Sequence, residues 1–304
     1  MVGGVDSWRL PSLRERAAAR ANKMGSYDMK STARCLAALA DESRHSFLVS
    51  TANLRGPNEV RLLRYSEEDD DVRCAAIWHH NYEVSSLSSN ATEPTLLATA
   101  YSTLDEKGAR ATVWRLTDLH EGGEGEDGEG GGGGGRFSEP LVKDLGVVAE
   151  LPQATAADGG ADPLFHVQWA PQVAGHDADE LVTAHAGSAR SWRLRADGSV
   201  APAGVARFPH EANFVGAVAW DPHRPAEVAV AADAEVVFWD LRSGECARSV
   251  GGAVAVAGGV VRAVSFNPNK PFHVATAGDD FGVKIWDARR PSAPLKILEG
   301  HSYW

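Results

Sequence analysis

Two arginines follow a tryptophan and an aspartate at the same short spacing, in Trp239-Asp240-Leu241-Arg242 and Trp286-Asp287-Ala288-Arg289. A guanidinium group binds a carboxylate through two parallel hydrogen bonds, so a matched pair of arginines on one surface could engage an acidic protein partner. The alternative is that each arginine pairs with the aspartate of its own motif. The candidate partner-binding residues are Asp240, Arg242, Asp287 and Arg289.

Other groupings predict no catalytic, metal or cofactor site. His79 and His80 are adjacent, but no further histidine, cysteine or carboxylate follows at a metal-ligand spacing. Residues 123–128 match GxGxxG, yet they have no strand before them, no helix after them, and carboxylates where a phosphate would bind. Motifs of hydrolases, zinc proteases and nucleotide-binding loops are missing too. The sequence therefore predicts a protein that is not an enzyme and holds no cofactor.

The composition is that of a globular protein in a reducing compartment. Of the 304 residues, 43% are hydrophobic and three are cysteines, which form no CxxC pair. No signal peptide or membrane-length apolar run is present, so we expect a cytoplasmic location. The formal net charge of -11 argues against nucleic-acid binding, which needs a basic surface, and favours protein partners.

Two stretches differ in composition from the rest of the chain. Residues 1–26 are basic and rich in alanine, and we expect a disordered basic extension there. Residues 121–135 are almost entirely glycine and glutamate. Because so much glycine cannot recover its backbone entropy by burial, this stretch is predicted to be a disordered acidic loop between two repeats.

A repeat of about 47 residues organises the C-terminal half. Trp192, Trp239 and Trp286 lie at two successive intervals of 47, and Asp233 and Asp280 keep the same offset. An aromatic-x-proline triplet precedes each tryptophan, and short β-branched runs end at turn residues. A Trp-Asp pair closing a third strand, followed by Gly300-His301, is the signature of a WD40 blade.

The predicted fold is therefore an all-β WD40 propeller over residues 27–304. About five blades are expected, and because the chain stops in what is interpreted as the start of the next blade, the ring is expected to be incomplete. The predicted blades cover about 33–65, 75–116, 164–194, 214–242 and 260–289, with the start of the next blade at 295–304.

In WD40 repeats generally, a hydroxyl on the second strand, an aspartate in the following turn, the third-strand tryptophan and the Gly-His histidine form a hydrogen-bonded network. Blade five supplies the first three groups, while blade four has Val230 near the hydroxyl position. The residues assigned to this structural role are Trp114, Trp192, Asp233, Trp239, Thr276, Asp280, Trp286 and His301.

The chain resembles the family of EARP and GARP complex-interacting proteins over about 27–304, the first five of the seven blades such proteins have. Blade five and its exit carry the closest correspondence, from Val261-Arg262 through Trp286-Asp287 to Trp304, and YDMKSTARC at 27–35 adds to it. The resemblance implies a non-catalytic scaffold that binds the endosome-associated recycling and Golgi-associated retrograde tethering complexes. The resemblance also implies that the protein supports endosomal recycling and retrograde transport to the trans-Golgi network. It would reach that network and endosomes only through its partners.

A second interpretation comes from the paired arginine motifs. They resemble those of substrate receptors for cullin-4 ubiquitin ligases, in which case Arg242 and Arg289 would contact a cullin-4 adaptor. The sequence leaves this alternative open.

Overall fold

A computed structural model describes residues 26–301 except 30, 41–44, 54–55, 69, 104–107, 118, 120–139, 157–158, 174 and 252–258. The predicted acidic loop at 121–135, and all but residue 26 of the predicted basic extension, lie outside the described residues. Every regular element among the described residues is a β-strand, and the strands form five antiparallel groups of four that we number as blades.

Blades one and two are built from the N-terminal half of the chain. Their second and third strands contain runs of consecutive buried residues, which is the pattern of strands covered on both faces. Blade one contains β1 (Thr32–Leu39), β2 (His45–Ala52), β3 (Asn58–Ser66) and β4 (Asp71–His80). Blade two contains β5 (Glu83–Ser89), β6 (Leu96–Ser102), β7 (Ala109–Leu116) and β8 (Val142–Glu150).

Blades three to five follow the same order, from an inner first strand to an outer fourth strand. Blade three contains β9 (Leu164–Trp169), β10 (Glu180–His185), β11 (Ser188–Leu194) and β12 (Val200–Arg207). Blade four contains β13 (Val215–Trp220), β14 (Glu227–Ala232), β15 (Glu235–Asp240) and β16 (Glu245–Val250). Blade five contains β17 (Val261–Phe266), β18 (His273–Gly278), β19 (Val283–Asp287) and β20 (Lys296–Leu298).

Each blade buries its apolar face against the next blade. One cluster of buried side chains lies between each successive pair, and the clusters contain Trp78, Trp169, Trp220 and Trp286 in turn. Burial of a large aliphatic side chain contributes roughly 1.5–3 kcal/mol, so these contacts hold the blades together. The inner strands approach closely: a Cβ at Gly216 would overlap the backbone of Val261, and only glycine fits there.

Blades one and two are also joined at their outer edges. The end of β4 pairs in parallel with the start of β8, from Ile77 opposite Val142 to His79 opposite Asp144. The two blades therefore form one sheet of eight strands. The indole Nε1 of Trp78 donates to the carbonyl oxygen of Thr117 at 3.0 Å, and this bond fixes the end of blade two against blade one.

The blade bounds differ from the predicted ones mainly at the fourth strands. Residues 75–78 were predicted to open blade two, but β4 pairs with β3 and is the outer strand of blade one. Residues 295–304 were predicted to begin a further blade, but β20 pairs with β19 and completes blade five. The fourth strands carry no Trp-Asp signature, and β16 and β20 are largely exposed, so no repeated sequence pattern marks the blade to which each belongs.

The acidic glycine-rich stretch also occupies a different place in the fold from the one predicted. It was expected between two blades, but the strands on either side of it, β7 and β8, pair with each other within blade two. It is an insertion between the third and fourth strands of that blade. A connection between these strands is normally a short turn, and the sequence gives no sign that the fourth strand follows so late.

We call one end of the blades the lower rim. It consists of the connections from first to second and from third to fourth strands: residues 40–44, 67–70, 90–95, 117–141, 170–179, 195–199, 221–226, 241–244, 267–272 and 288–295, as far as they are described. Side chains link these loops between neighbouring blades. The imidazole Nε2 of His176 donates to the carbonyl oxygen of Asp221 at 2.9 Å, and that of His223 donates to Asn267 at 3.0 Å.

Candidate functional site

The third-strand tryptophans of three blades make the same hydrogen bond. The indole Nε1 donates to a threonine hydroxyl on the neighbouring second strand, at 2.8 Å for Trp114 and Thr99 and at 2.8 Å for Trp192 and Thr183. In blade five Trp286 donates to Thr276 at 2.9 Å. Sheet register places the acceptor two residues beyond the residue opposite the tryptophan each time. The bond ties the second strand to the third in every one of these blades.

Blade four lacks this bond. Val230 occupies the register position of the threonines, and the buried Nε1 of Trp239 has no hydrogen-bond partner. An indole N–H buried without an acceptor costs free energy, because the bond to water is lost and not replaced. The sequence had already indicated that a valine stands near the hydroxyl position.

We expect Val230→Thr to stabilise the protein by about 1 kcal/mol, because a hydroxyl at this position gives Trp239 the acceptor that its counterparts have. The measurement is the midpoint of urea unfolding followed by circular dichroism. Val230→Ala is the matched control, since it removes volume without adding an acceptor and should lower the midpoint. A lower midpoint in both variants would contradict the prediction.

Two buried histidines that sequence reasoning did not assign extend these networks. His80 ends β4, and its Nε2 lies 3.3 Å from the hydroxyl of Thr99, while Nδ1 lies 2.8 Å from the carbonyl oxygen of Tyr82. In blade three the Nε2 of His185 lies 3.0 Å from the hydroxyl of Thr183. Burial lowers the pKa of both imidazoles to about 4, so both are neutral near pH 7.

Blade three also places an acid at the entrance to its first strand. The buried Asp162 accepts hydrogen bonds from the backbone N–H of Gly187 at 2.8 Å and from the hydroxyl of Ser188 at 2.6 Å. It joins the loop before β9 to the turn after β10, where the usual aspartate position holds Ala186. A search for an aspartate in the turn after the second strand misses this arrangement. The acid lies instead in the loop before the first strand, and the turn supplies the donors.

The predicted repeat pairs Asp233 of blade four with Asp280 of blade five, but the structural equivalent of Asp233 is the residue before, Asp279. Asp233 accepts from the backbone N–H groups of Asn213 and Phe214 at 3.2 and 3.1 Å. In blade five the corresponding acceptor is Asp279, which binds the N–H of Val260 at 3.1 Å. Asp280, predicted to be equivalent to Asp233, instead forms a buried ion pair with Lys284 at 2.5 Å. The turn of blade five is one residue longer, which shifts the equivalence.

The two Trp-Asp-x-Arg motifs end on the lower rim in neighbouring blades, and their arginines are held differently. Arg289 donates through Nε and Nη2 to both carboxylate oxygens of Asp287, at 2.9 and 2.7 Å. These bonds hold the pKa of the Asp287 carboxyl well below its usual range. The side chain of Arg242 is 83% exposed, and its Nη2 lies 3.7 Å from Oδ2 of Asp240. Pairing within the motif is thus strong in blade five and weak in blade four.

Phe272, on the same rim, has arginine side chains from both blades packed against its ring. The guanidinium carbons of Arg224, Arg289 and Arg248 lie 4.0, 4.7 and 5.5 Å from the centre of the Phe272 ring. Phe272 has a φ of 65°, a conformation that a bulky side chain rarely adopts. Contact with the three cations offsets this cost, since a guanidinium over an aromatic ring is stabilising.

One carboxylate of blade four, that of Glu227, fixes two of these arginines. Glu227 binds Nη1 of Arg224 at 2.9 and 2.8 Å and also forms an ion pair with Arg248. The outer strand and the first lower-rim loop of blade four are thereby tied together under Phe272. The geometry therefore fixes three cations around Phe272: Arg224, Arg248 and Arg289.

The last assigned repeat residue, His301, is exposed at the end of the described chain. No group of three or more histidine, cysteine, aspartate or glutamate side chains in the described residues has the arrangement of a metal site. Of the two adjacent histidines, His80 directs one ring nitrogen to the carbonyl oxygen of Tyr82 and the other to the hydroxyl of Thr99. A helix long and apolar enough to cross a membrane is not found in the part of the chain that the structure describes.

Comparison with known proteins identifies relatives along most of the chain. It is 28% identical to EARP and GARP complex-interacting protein 1 of Rattus norvegicus over 265 residues, which is 85% of this chain and 64% of the relative. The human protein of that name is 27% identical over 264 residues, 85% of this chain and 63% of the relative. The WD repeat-containing protein DWA2 of Arabidopsis thaliana is 26% identical over 279 residues, or 91% of this chain and 70% of the relative.

The chain thus spans less than two thirds of the length of the first two of these relatives. A family model described as the EIPR1 beta-propeller matches residues 22–304. This match and the five four-stranded blades confirm the predicted all-β propeller and the predicted family resemblance. The chain belongs to the EIPR1 β-propeller family.

Proposed function

We propose that this protein is a non-catalytic scaffold that binds the endosome-associated recycling and Golgi-associated retrograde tethering complexes. The observation that carries the proposal is membership of a family whose relatives are named for interaction with EARP and GARP. Through these complexes it would support endosomal recycling and retrograde transport to the trans-Golgi network.

The architecture supports a scaffold role on physical grounds. Four inter-blade cores and the tryptophan bonds keep the blades rigid, so the rim loops are presented in fixed positions. Loops on a rigid support are where proteins place their contact residues, and several loops on one rim can contact more than one subunit. The protein would act in the cytoplasm without a cofactor and reach endosomes and the trans-Golgi network by recruitment.

Affinity purification tests the proposal. We expect the tagged chain to recover tethering-complex subunits from cell extract, and proximity labelling to place it at endosomes and the trans-Golgi network. The control is the same chain with Trp192→Ala and Trp286→Ala, which removes buried side chains from two cores. Recovery of the subunits equally by the disrupted chain, or by neither chain, would contradict the proposal.

A cullin-4 substrate receptor is the second candidate. It is favoured by the placement of Arg242 and Arg289 on the lower rim of neighbouring blades, at equivalent positions after a third-strand tryptophan. The same purification distinguishes the two. Recovery of a cullin-4 adaptor without tethering subunits, lost on Arg242→Ala with Arg289→Ala, would replace the first proposal with this one.

A further inference from the structure

The charges of the lower rim are unevenly divided between its two halves. In the described lower-rim loops of blades one to three the exposed charged side chains are acidic except for Arg195. Two strand arginines pair with acids of these loops, Arg115 with Glu93 at 2.6 Å and Arg193 with Asp177 at 2.6 Å. The exposed acids of this half are Glu67, Glu68, Glu93, Asp177, Asp179 and Asp197. An approaching anion meets repulsion over this half.

Blades four and five present the opposite sign. Four exposed cations lie in their lower-rim loops, and we name them the basic sector: Arg242, Lys270, Arg289 and Arg290. In the described residues 221–227, 240–245, 267–272 and 287–290, Glu245 is the one exposed carboxylate. The other acids there, Asp221, Asp240, Glu227 and Asp287, are buried or half-buried. A local excess of positive charge in a chain of net charge -11 marks a surface for an anionic partner.

The basic sector is rigid at its centre. Arg289 is held by Asp287 on one side and by the Phe272 ring on the other, yet 57% of its side chain is exposed. A guanidinium that is already ordered loses little conformational entropy when a second carboxylate approaches it. Arg242, at the equivalent position of blade four, is 83% exposed and only weakly paired.

We propose that the basic sector is a docking surface for an acidic segment of a partner protein, rich in aspartate or glutamate. The division of the rim favours a peptide segment over a membrane surface. An anionic bilayer is broad and flat and would also face the acids of blades one to three, whereas an extended segment can follow the cations of two blades alone. Bidentate arginines also match the planar geometry of carboxylates.

This inference deepens the proposed scaffold function by naming the surface and the chemistry of the partner segment, and it rests on that function only for the identity of the partner. Its test uses a synthetic peptide with no tethering subunit in the assay. Failure of the peptide to bind would overturn the docking surface and leave the purification result unaffected. Absence of tethering subunits in the purification would leave the peptide result unaffected.

The experiment measures binding of a fluorescein-labelled Glu-Gly repeat peptide to the full chain by fluorescence anisotropy. We expect saturable binding at low ionic strength that weakens as salt is added, because exposed charges are screened. The double variant Arg242→Glu with Arg290→Glu should bind about tenfold more weakly. Both side chains are exposed, and circular dichroism checks that the variant is folded.

Arg195→Glu is the matched control. Arg195 has the same position after Trp192 as Arg242 has after Trp239, but it lies in an acidic loop of blade three and interacts with Asp197. We expect it to leave the affinity for the peptide unchanged within about twofold. An equal loss in the control, or no saturable binding of the peptide, overturns the proposal. Binding of phosphatidylserine vesicles that the double variant abolishes, with no binding of the peptide, would assign the sector to a membrane surface instead.

Discussion

Trp286→Ala is expected to lower the free energy of unfolding by about 3–5 kcal/mol, because it removes a buried indole and leaves a cavity that the sheets fill only in part. Trp286 is 3% exposed and packs in the core between blades four and five with Val274 and Phe238. The measurement is urea unfolding followed by circular dichroism, with the slope of the transition checked for a change in cooperativity.

The matched control separates the cavity from the lost hydrogen bond. Thr276→Val keeps the volume of the core but removes the acceptor of the Trp286 indole, which reproduces the arrangement around Trp239. We expect this change to cost about 1 kcal/mol. An unchanged unfolding curve for Trp286→Ala would show that the side chain does not support the core, and an equal loss in both variants would assign the effect to the bond alone.

The first three strands of the C-terminal blades could be predicted from the sequence because they carry residues that must be buried or must form a turn. A buried tryptophan recurs every 47 residues, and a turn after an aromatic-x-proline triplet precedes each one. The sheet register keeps the three tryptophans in equivalent positions. The outer strands β16 and β20 have no such requirement, since much of their surface faces solvent. Residues 245–250 and 296–298 show this, being exposed at most positions and without a repeated motif.

Hydrogen-bond networks were harder to predict because the same contact is made from different places in the chain. His80 reaches Thr99 from the strand of the preceding blade, whereas His185 reaches Thr183 from two residues away on the same strand. The role of Asp280 was misplaced by a single inserted residue in a turn. The spacing of residues along the chain identifies groups that recur at a constant interval. It does not identify groups that make the same contact in two blades from different positions in the sequence.

The candidate partner surface was predictable in part. The repeated spacing after the tryptophan placed Arg242 and Arg289 on one rim, and the sheet order agrees with this. The pairing strength of each arginine was not predictable, because it depends on the rotamer and on Phe272, which is close to Arg289 only through an unusual backbone conformation. The charge division of the rim likewise emerges only when loops distant in sequence are brought to the same end of the blades.

Acidification should destabilise the protein between about pH 6.5 and pH 4, through His80 and His185. Burial depresses the pKa of each imidazole to about 4, so in this window the unfolded chain binds protons that the folded chain does not. Folding stability therefore falls as the pH falls, by up to about 3 kcal/mol for each histidine once the pH reaches 4. His166, whose pKa burial also lowers, adds in the same direction. The measurement is the urea midpoint as a function of pH.

His80→Gln with His185→Gln tests the cause, because glutamine keeps a polar side chain near the threonine hydroxyls but does not titrate. We expect the midpoint of this variant to change less between pH 7 and pH 5 than that of the parent chain. The window separates the histidines from the paired carboxylates, since Asp287 and Asp279 have depressed pKa values and lose their stabilising charge only at lower pH. His210→Gln, at an exposed position, is the control. A pH dependence that is the same in the double variant and in the control would show that the buried imidazoles are not its source.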